Sequence, residues 1–180
     1  VLAYTTSTGD SSKLAYGDSC AQFIMTVELP LYGTATGYDL LHTFVTAFVA
    51  GCLAEYGTFR GVDSLNVMAS QIALRAKLWA ESHPSRAFVN SSWAMSPGTL
   101  VWGLIHAYFP MYPDEFEGFE RDFLDTYLPM DAGRADHFDD YLWDNSWNIW
   151  FANGYRALYE FTGSEAYHDN FVRITDYLLS

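Results

Sequence analysis

Three apolar stretches of the chain carry a glycine five residues before a tyrosine, at nearly equal intervals. The intervals between the glycines are 52 and 51 residues. A glycine in the interior of a helix costs ~1 kcal/mol relative to alanine, so glycines in register indicate that neighbouring helices approach closely there. The spacing predicts a structure built from repeated units of about fifty residues. The stretches are FVAGCLAEYG, LVWGLIHAYF and FANGYRALYE, with the pairs Gly51/Tyr56, Gly103/Tyr108 and Gly154/Tyr159.

Apolar and amphipathic stretches alternate along the chain at helical periodicity. Ser96-Pro97 and Ser164-Glu165 are typical helix starts, and Gly61 and Gly163 are typical stops. These signals predict inner apolar helices over 37–57, 97–109 and 142–162, and outer amphipathic helices over 62–81, 113–128 and 164–179. Paired in order, they form three antiparallel helical hairpins, over about 37–82, 96–129 and 141–180.

The first 36 residues have a different character. YTTSTGDSSKLAYGDS is small and polar, and CAQFIMTVELPLYG is β-branched and aromatic up to Pro30, which favours a short extended segment. We therefore predict a non-helical, partly extended N-terminal arm over 1–36 and a single helical domain over 37–180. The predicted fold class is all-α, with the arm capping an exposed helix face of its own chain or of a neighbour.

The hairpin pattern has a family resemblance. The alternation of inner and outer helices resembles the hairpins of α/α-toroid proteins, the six-hairpin glycosidase and sugar-epimerase type. The same family resemblance is seen in the sequence of residues 154–179, GYRALYEFTGSEAYHDNFVRITDYLL. The resemblance in helix pattern covers 37–180, and the resemblance in the amino-acid sequence itself covers about 150–180. It implies a toroid-like fold or a short open array, and a carbohydrate partner. A complete toroid has about twice as many hairpins, so the chain corresponds to half a ring or to part of a longer chain, and no position matches a family catalytic residue.

The charge balance excludes some partners. A formal net charge of −13 and a sequence pI of about 4.4 repel phosphate backbones and anionic lipids, so we predict no nucleic-acid partner. The apolar run LLHTFVTAFVAGCLA has 15 residues and contains His42, short of the roughly 20 needed to span a bilayer, so we predict no membrane span.

Three short sequence features bear on the cellular location of the protein. Asn90-Ser91-Ser92 is an N-glycosylation acceptor pattern, and the chain begins with Val1, as it would after removal of a leader. We predict a secreted or extracellular location. Cys20 and Cys52 form either one disulfide bridge or two thiols, and their spacing does not decide between the two.

The connections that precede the inner helices contain a candidate carbohydrate site. Glycoside chemistry needs two carboxylates ~5–9 Å apart and aromatic faces for stacking on sugar rings. At 100° per residue, Asp139, Trp143 and Trp147 fall within an arc of about 80° on one helix side. The candidate catalytic pair is Asp139 and Asp140, and the candidate substrate-binding residues are Trp93, His137, Trp143, Asp144 and Trp147.

The same residues allow other interpretations. Aspartates are common in a first helical turn and tryptophans spaced four residues apart are typical of a core, so the stretch also fits the acidic start of a buried helix. Asp136, His137, Asp139 and Asp140 would suit calcium, although the EF-hand spacing is absent, so the prediction is no cofactor with calcium as the alternative. His42 and His106, in apolar stretches, are predicted to be hydrogen-bonded core histidines.

Two functions follow from these features. The first is a carbohydrate-processing or carbohydrate-binding protein, which would be a glycoside hydrolase or a related sugar-active enzyme if it is catalytic. The second is a secreted or surface structural protein without catalysis, which self-assembles into a homo-oligomer through its aromatic faces and its N-terminal arm. Aromatic residues make up 18% of the chain and favour recognition of either kind.

Overall fold

The structure is a computed structural model that describes residues 2–28, 40–83, 97–125 and 145–179. Apart from short turns between the helices, these ranges are helical and contain no β-strand, which confirms the all-α fold class. A π-helical turn over Ile24–Glu28 extends the second helix, and the sixth is flanked by a 3₁₀ turn over Pro113–Glu115 and a π-helical turn over Glu120–Leu124. The α-helices are α1 Leu2–Thr8, α2 Leu14–Phe23, α3 Leu40–Arg60, α4 Asp63–Ser82, α5 Pro97–Ala107, α6 Phe116–Phe119, α7 Asn145–Thr162 and α8 Glu165–Leu179.

Tight turns join α3 to α4 and α7 to α8, so that each pair forms a helical hairpin. Gly61 between α3 and α4 has φ 66°, and Gly163 between α7 and α8 has φ 72°, a conformation that glycine adopts without the steric cost of a Cβ. Each turn brings its two helices into contact along their length, so the pairs are antiparallel. In the middle unit, the chain after α5 folds back so that Phe109 packs edge-on against Phe116, with ring centroids 5.1 Å apart.

The inner helices α3, α5 and α7 pack side by side in that order. Between α3 and α5, Phe48 pairs with Trp102 at 5.6 Å between ring centroids, and Glu55 pairs with His106, whose Nδ1 lies 3.7 Å from Glu55 Oε1. Residue numbers rise together on both helices, so the helices run parallel. The same order holds between α5 and α7, where Gly98 lies against Trp150 and His106 lies near Glu160.

The three repeated glycines lie where the inner helices meet, as their spacing predicts. A Cβ on Gly103 would overlap the backbone carbonyl of Ala47 on α3. On α7, a Cβ at Gly154 would lie 2.8 Å from the Cα of Gly98 on α5. Gly51 faces the ring of Trp102, which occupies the space that its side chain would fill. Each glycine therefore permits a close approach between neighbouring helices.

Polar contacts tie the outer elements together. The Lys77 side chain on α4 is only 9% exposed, and its Nζ lies 2.6 Å from Glu81 Oε1 and 3.3 Å from Glu115 Oε2, just before α6. The Tyr167 hydroxyl on α8 donates a hydrogen bond of 2.6 Å to Glu120 Oε1. Adjacent hairpins are thus joined on the outer side as well as through their inner helices. The largest fully buried side chains include Leu53, Leu100, Leu104, Phe109, Phe151, Leu158 and Ile174.

Residues 2–28 differ from the predicted non-helical, partly extended arm, because they form α1, α2 and the π-helical turn. The β-branched residues around Ile24 favour an extended chain only weakly, and tertiary packing overrides that preference. The packing is provided by α3, where the Tyr56 ring lies against Gly17 and Arg60 Nη2 lies 3.0 Å from Asp18 Oδ2. The helix α2 thus covers part of α3 in its own chain, and residues 29–36 of the predicted arm lie outside the described ranges.

Among the described helices, none is long and apolar enough to cross a membrane.

Candidate functional site

A groove of ≈ 140 Å³ opens on the layer of inner helices. It uses the carboxyl-terminal halves of α3, α5 and α7, which lie close together because the three helices are parallel. The lining residues are Glu55, Trp102, His106, Asn153, Arg156, Ala157 and Glu160.

Helical spacing places these side chains on the groove. Trp102 and His106 are four residues apart on α5, and Asn153, Arg156 and Glu160 follow intervals of three and four residues on α7, so each set shares one helix face. Phe151 and Leu158, on the opposite face of α7, are buried in the core. Each inner helix thus has a buried apolar side and a polar side that reaches the groove.

An aromatic wall forms one side of the groove. The Trp102 ring lies 4.6 Å from the His106 ring, measured between centroids, with an interplanar angle of 45°. Behind it, Phe48 lies 5.6 Å away and Gly51 leaves room for the indole. The position of the wall therefore depends on one of the repeated glycines.

His106 has an unusual electrostatic environment. Burial lowers the pKa of His106 below its ordinary value of 6.5, Arg156 lowers it further, and the nearby carboxylates of Glu55 and Glu160 oppose the shift. The net direction is downward, so the imidazole is uncharged at neutral pH. It then has one nitrogen that donates a hydrogen bond and one that accepts.

The two carboxylates of the groove have different neighbours. Arg156 Nε donates to Glu160 Oε1 at 2.8 Å, so the charge of Glu160 is balanced within the groove. Glu55, with 43% of its side chain exposed, instead lies beside the uncharged His106. With two carboxylates against one guanidinium, the groove has a net negative charge at pH 7.

The cysteines are free thiols in the structure, with Cys20 exposed on α2 and Cys52 partly buried on α3. Burial, reinforced by the charge of Glu55, raises the pKa of Cys52 to about 11. The thiol therefore stays protonated at neutral pH and is a poor nucleophile.

Most of the residues predicted from sequence as a carbohydrate site lie outside the described ranges. Of these residues, only Trp147 is on a described helix, in the first turn of α7. The structure describes its backbone but not its side chain. Glu160 lies thirteen residues further along α7, roughly 20 Å at 1.5 Å per residue, so the groove is at the opposite end of that helix. The residues outside the described ranges are Trp93, His137, Asp139, Asp140, Trp143 and Asp144.

The calcium alternative also falls outside the described ranges, because Asp136, His137, Asp139 and Asp140 belong to it. In the part of the chain that the structure describes, no three His, Cys, Asp or Glu side chains are grouped so that they could hold a metal ion.

The prediction that His106 is a core histidine is wrong. Its side chain is 26% exposed and lines the groove beside Trp102 and Glu55. The sequence signal for the groove was present in the repeat itself, since Glu55, His106 and Arg156 each lie between the glycine and the tyrosine of one copy. His42 is also predicted to be a core histidine, and its side chain is not among those that the structure describes.

Comparison with known proteins gives no relative for this chain: no protein-family model, no curated protein and no solved structure matches it.

Proposed function

We propose that this protein binds or processes a carbohydrate, as an α/α-toroid-like array of hairpins, and that the groove on its inner helices is the sugar site. The observation that carries the proposal is the groove in which the Trp102 ring lies together with Glu55, His106 and Asn153. Sugar rings present an apolar face for stacking on an aromatic ring and hydroxyl groups for hydrogen bonds to carboxylate, amide and imidazole groups.

The size of the groove favours a small ligand. Pockets for drug-sized ligands enclose roughly 300–1,000 Å³, whereas this groove encloses ≈ 140 Å³. A single sugar ring, or one end of a longer glycan, fits this description better than an extended polymer buried along its length.

The groove also contains groups that could act on a glycosidic bond. Glycoside hydrolysis requires one carboxyl group that donates a proton and one that stays ionised, which different surroundings can provide. Glu160 is paired with Arg156, whereas Glu55 lies beside an uncharged imidazole. The loop residues Asp139 and Asp140 remain the alternative catalytic pair.

Binding can be tested by NMR. We expect monosaccharides to shift the side-chain signals of Trp102 and Asn153 in labelled protein, and Asn153→Ala to weaken binding about tenfold, or about 1.4 kcal/mol. Asn170→Ala, on α8 and away from the groove, is the matched control. If no saccharide shifts the groove signals, the groove is not a sugar site.

If the protein turns over a glycan, two double variants distinguish the catalytic pairs. We expect Glu55→Gln with Glu160→Gln to abolish turnover if the groove is catalytic. Full turnover in Asp139→Asn with Asp140→Asn would exclude the loop aspartates, and loss of turnover in that variant alone would move the catalytic site away from the groove.

Self-assembly is a second candidate function, favoured by exposed apolar side chains on α2 and α8. Leu179 is 81% exposed and shares one face of α8 with Val172, and Tyr16 and Phe23 are exposed seven residues apart on α2. Because α2 packs on the first hairpin and α8 belongs to the last, such contacts would join copies head to tail. In either function, a secreted or extracellular location remains a prediction.

Sedimentation velocity tests the assembly. We expect the sedimentation coefficient to rise with concentration, and Leu179→Asp to reduce the rise more than Met111→Asp, a control with an exposed side chain between α5 and α6. A compact monomer at high micromolar concentration would exclude self-assembly.

A further inference from the structure

The charges of the groove give more information about its ligand than its shape does. Arg156 Nε is paired with Glu160 Oε1 at 2.8 Å, so one positive and one negative charge of the groove face each other. Glu55 instead lies beside the uncharged His106 and adds a second carboxylate at the edge of the groove. A ligand with a positive charge would balance it.

The helix dipoles act in the same direction. The groove lies in the carboxyl-terminal halves of three parallel helices and reaches the last turns of α5 and α7, where His106 and Glu160 lie. The carboxyl end of a helix carries a partial negative charge from its unsatisfied carbonyl groups, and cations are stabilised there. Here the ends of neighbouring helices add their fields.

The aromatic wall is also suited to a cation. A cation over the face of a tryptophan is attracted by the negative charge density of the ring, most strongly where water is partly excluded. Trp102 is partly buried, and both Trp102 and Glu55 line the groove. The net charge of −13 on the whole chain adds a long-range attraction for cations.

We propose that the groove recognises a primary ammonium group, and that its ligand is an amino sugar with a free amine, whose ammonium lies between the Glu55 carboxylate and the Trp102 ring. The sugar part of this inference rests on the proposed function. Acetylation of the amine removes the charge, so an N-acetylated sugar of the same shape is excluded from the favoured class. His106 contributes by remaining neutral, since a protonated imidazole would compete for Glu55.

Calorimetric titration of the intact protein with three probes separates the two proposals. Glucosamine carries both the sugar ring and the ammonium, N-acetylglucosamine carries the ring alone, and cyclohexylamine carries the ammonium on an apolar ring. We expect glucosamine to bind at least tenfold more tightly than either of the others. Equal binding of glucosamine and N-acetylglucosamine would overturn the ammonium site and leave the sugar site standing.

The remaining outcomes are equally decisive. If cyclohexylamine binds as tightly as glucosamine, the groove recognises an amine and the proposal of an amino sugar is overturned together with the proposed carbohydrate function. If none of the three binds, both proposals fail.

A charge-removing variant tests the role of Glu55. We expect Glu55→Gln to lower the affinity for glucosamine about tenfold more than the affinity for N-acetylglucosamine, with Glu117→Gln on α6 as the matched control. Because Glu55 is partly exposed, the variant keeps the volume and packing of the parent, and far-ultraviolet circular dichroism checks its fold. Equal losses for both sugars, or no loss, would overturn the proposed role of the charge.

Discussion

Tyr56 joins the N-terminal helix α2 to the first inner helix. Its hydroxyl donates to Asp18 Oδ1 at 2.6 Å, with the carbonyl oxygen of Leu14 as a second acceptor at 3.0 Å, and its ring lies against Gly17. Arg60 Nε donates to the same Asp18 oxygen at 3.1 Å. Burial and the hydrogen bond to Asp18 raise the pKa of Tyr56 to about 12, so the donor keeps its proton at neutral pH.

Removing this hydroxyl is expected to loosen α2. Tyr56→Phe should lower the free energy of unfolding by about 0.5–1.5 kcal/mol, because it removes the hydrogen bond from the hydroxyl to Asp18, whose carboxylate keeps Arg60 as a partner. Hydrogen exchange in α2 should accelerate as well. Tyr16→Phe, on an exposed ring of the same helix, is the control, and equal stability of the two variants would contradict the structure at this contact.

His106 makes ligand binding depend on pH. Its pKa is lowered, so the ring is neutral at pH 7 and gains a proton only below its ordinary value of 6.5. The charged groups that face it are Glu55 on α3 and Arg156 and Glu160 on α7. A proton on His106 would balance Glu55, so the affinity for an ammonium ligand should fall as the pH drops below the ordinary histidine value of 6.5 and His106 gains its proton.

Titrations across this pH range measure the effect. We expect glucosamine to weaken on acidification in the parent and to stay constant in His106→Gln, with N-acetylglucosamine constant in both. A constant affinity for glucosamine in the parent over a pH range in which NMR shows the His106 ring gaining its proton would show that His106 does not control the site.

At the scale of single residues, the sequence predicts the glycines and places Glu55, His106 and Arg156 inside the repeats, but it does not show that these three residues meet in one groove. Gly51, Gly103 and Gly154 are identified by spacing alone, because each is a costly residue repeated at one position of a unit. His106 has apolar neighbours in sequence, and its meeting with Glu55 depends on the relative register of α3 and α5, which no local pattern contains.

At the scale of elements, helix existence was more predictable than helix ends. The stretch 37–57 is found as Leu40–Arg60, and Gly57, which resembles a stop, lies inside the helix because Leu65 and Asn66 of α4 pack closely against it. The true stop is Gly61, with its positive φ. The continuous helix predicted over 113–128 is instead a mixture of 3₁₀, α and π turns up to Leu124.

The packing between elements predicts that substitution by alanine has opposite effects on the free energy of unfolding at two helical glycines. Gly103→Ala should lower the free energy of unfolding by about 1–3 kcal/mol, since its methyl group would overlap the Ala47 backbone. Gly118→Ala on α6 meets only the end of the Arg121 side chain, at 4.0 Å, and should be stabilising by up to ~1 kcal/mol. Chemical denaturation measures both. A stabilising Gly103→Ala would contradict the contact between α3 and α5.

At the scale of the whole molecule, the chain is a row of hairpins in which α5 lies between α3 and α7. This order could be predicted, because the periodicity of the helices and the short turns at Gly61 and Gly163 both belong to the local sequence. The helical N-terminal region could not, because α2 is stabilised by Tyr56 and Arg60, about forty residues away in sequence. The groove likewise exists only once three distant stretches of sequence are aligned in parallel.

The central claim is that repeated glycines mark the contacts between parallel inner helices and thereby assemble the groove. Nuclear Overhauser spectroscopy of labelled protein tests it most directly. We expect cross-peaks between the Ala47 methyl group and the Gly103 α-protons, and between the α-protons of Gly98 and Gly154. Absence of both sets of cross-peaks in the folded protein would contradict the claim.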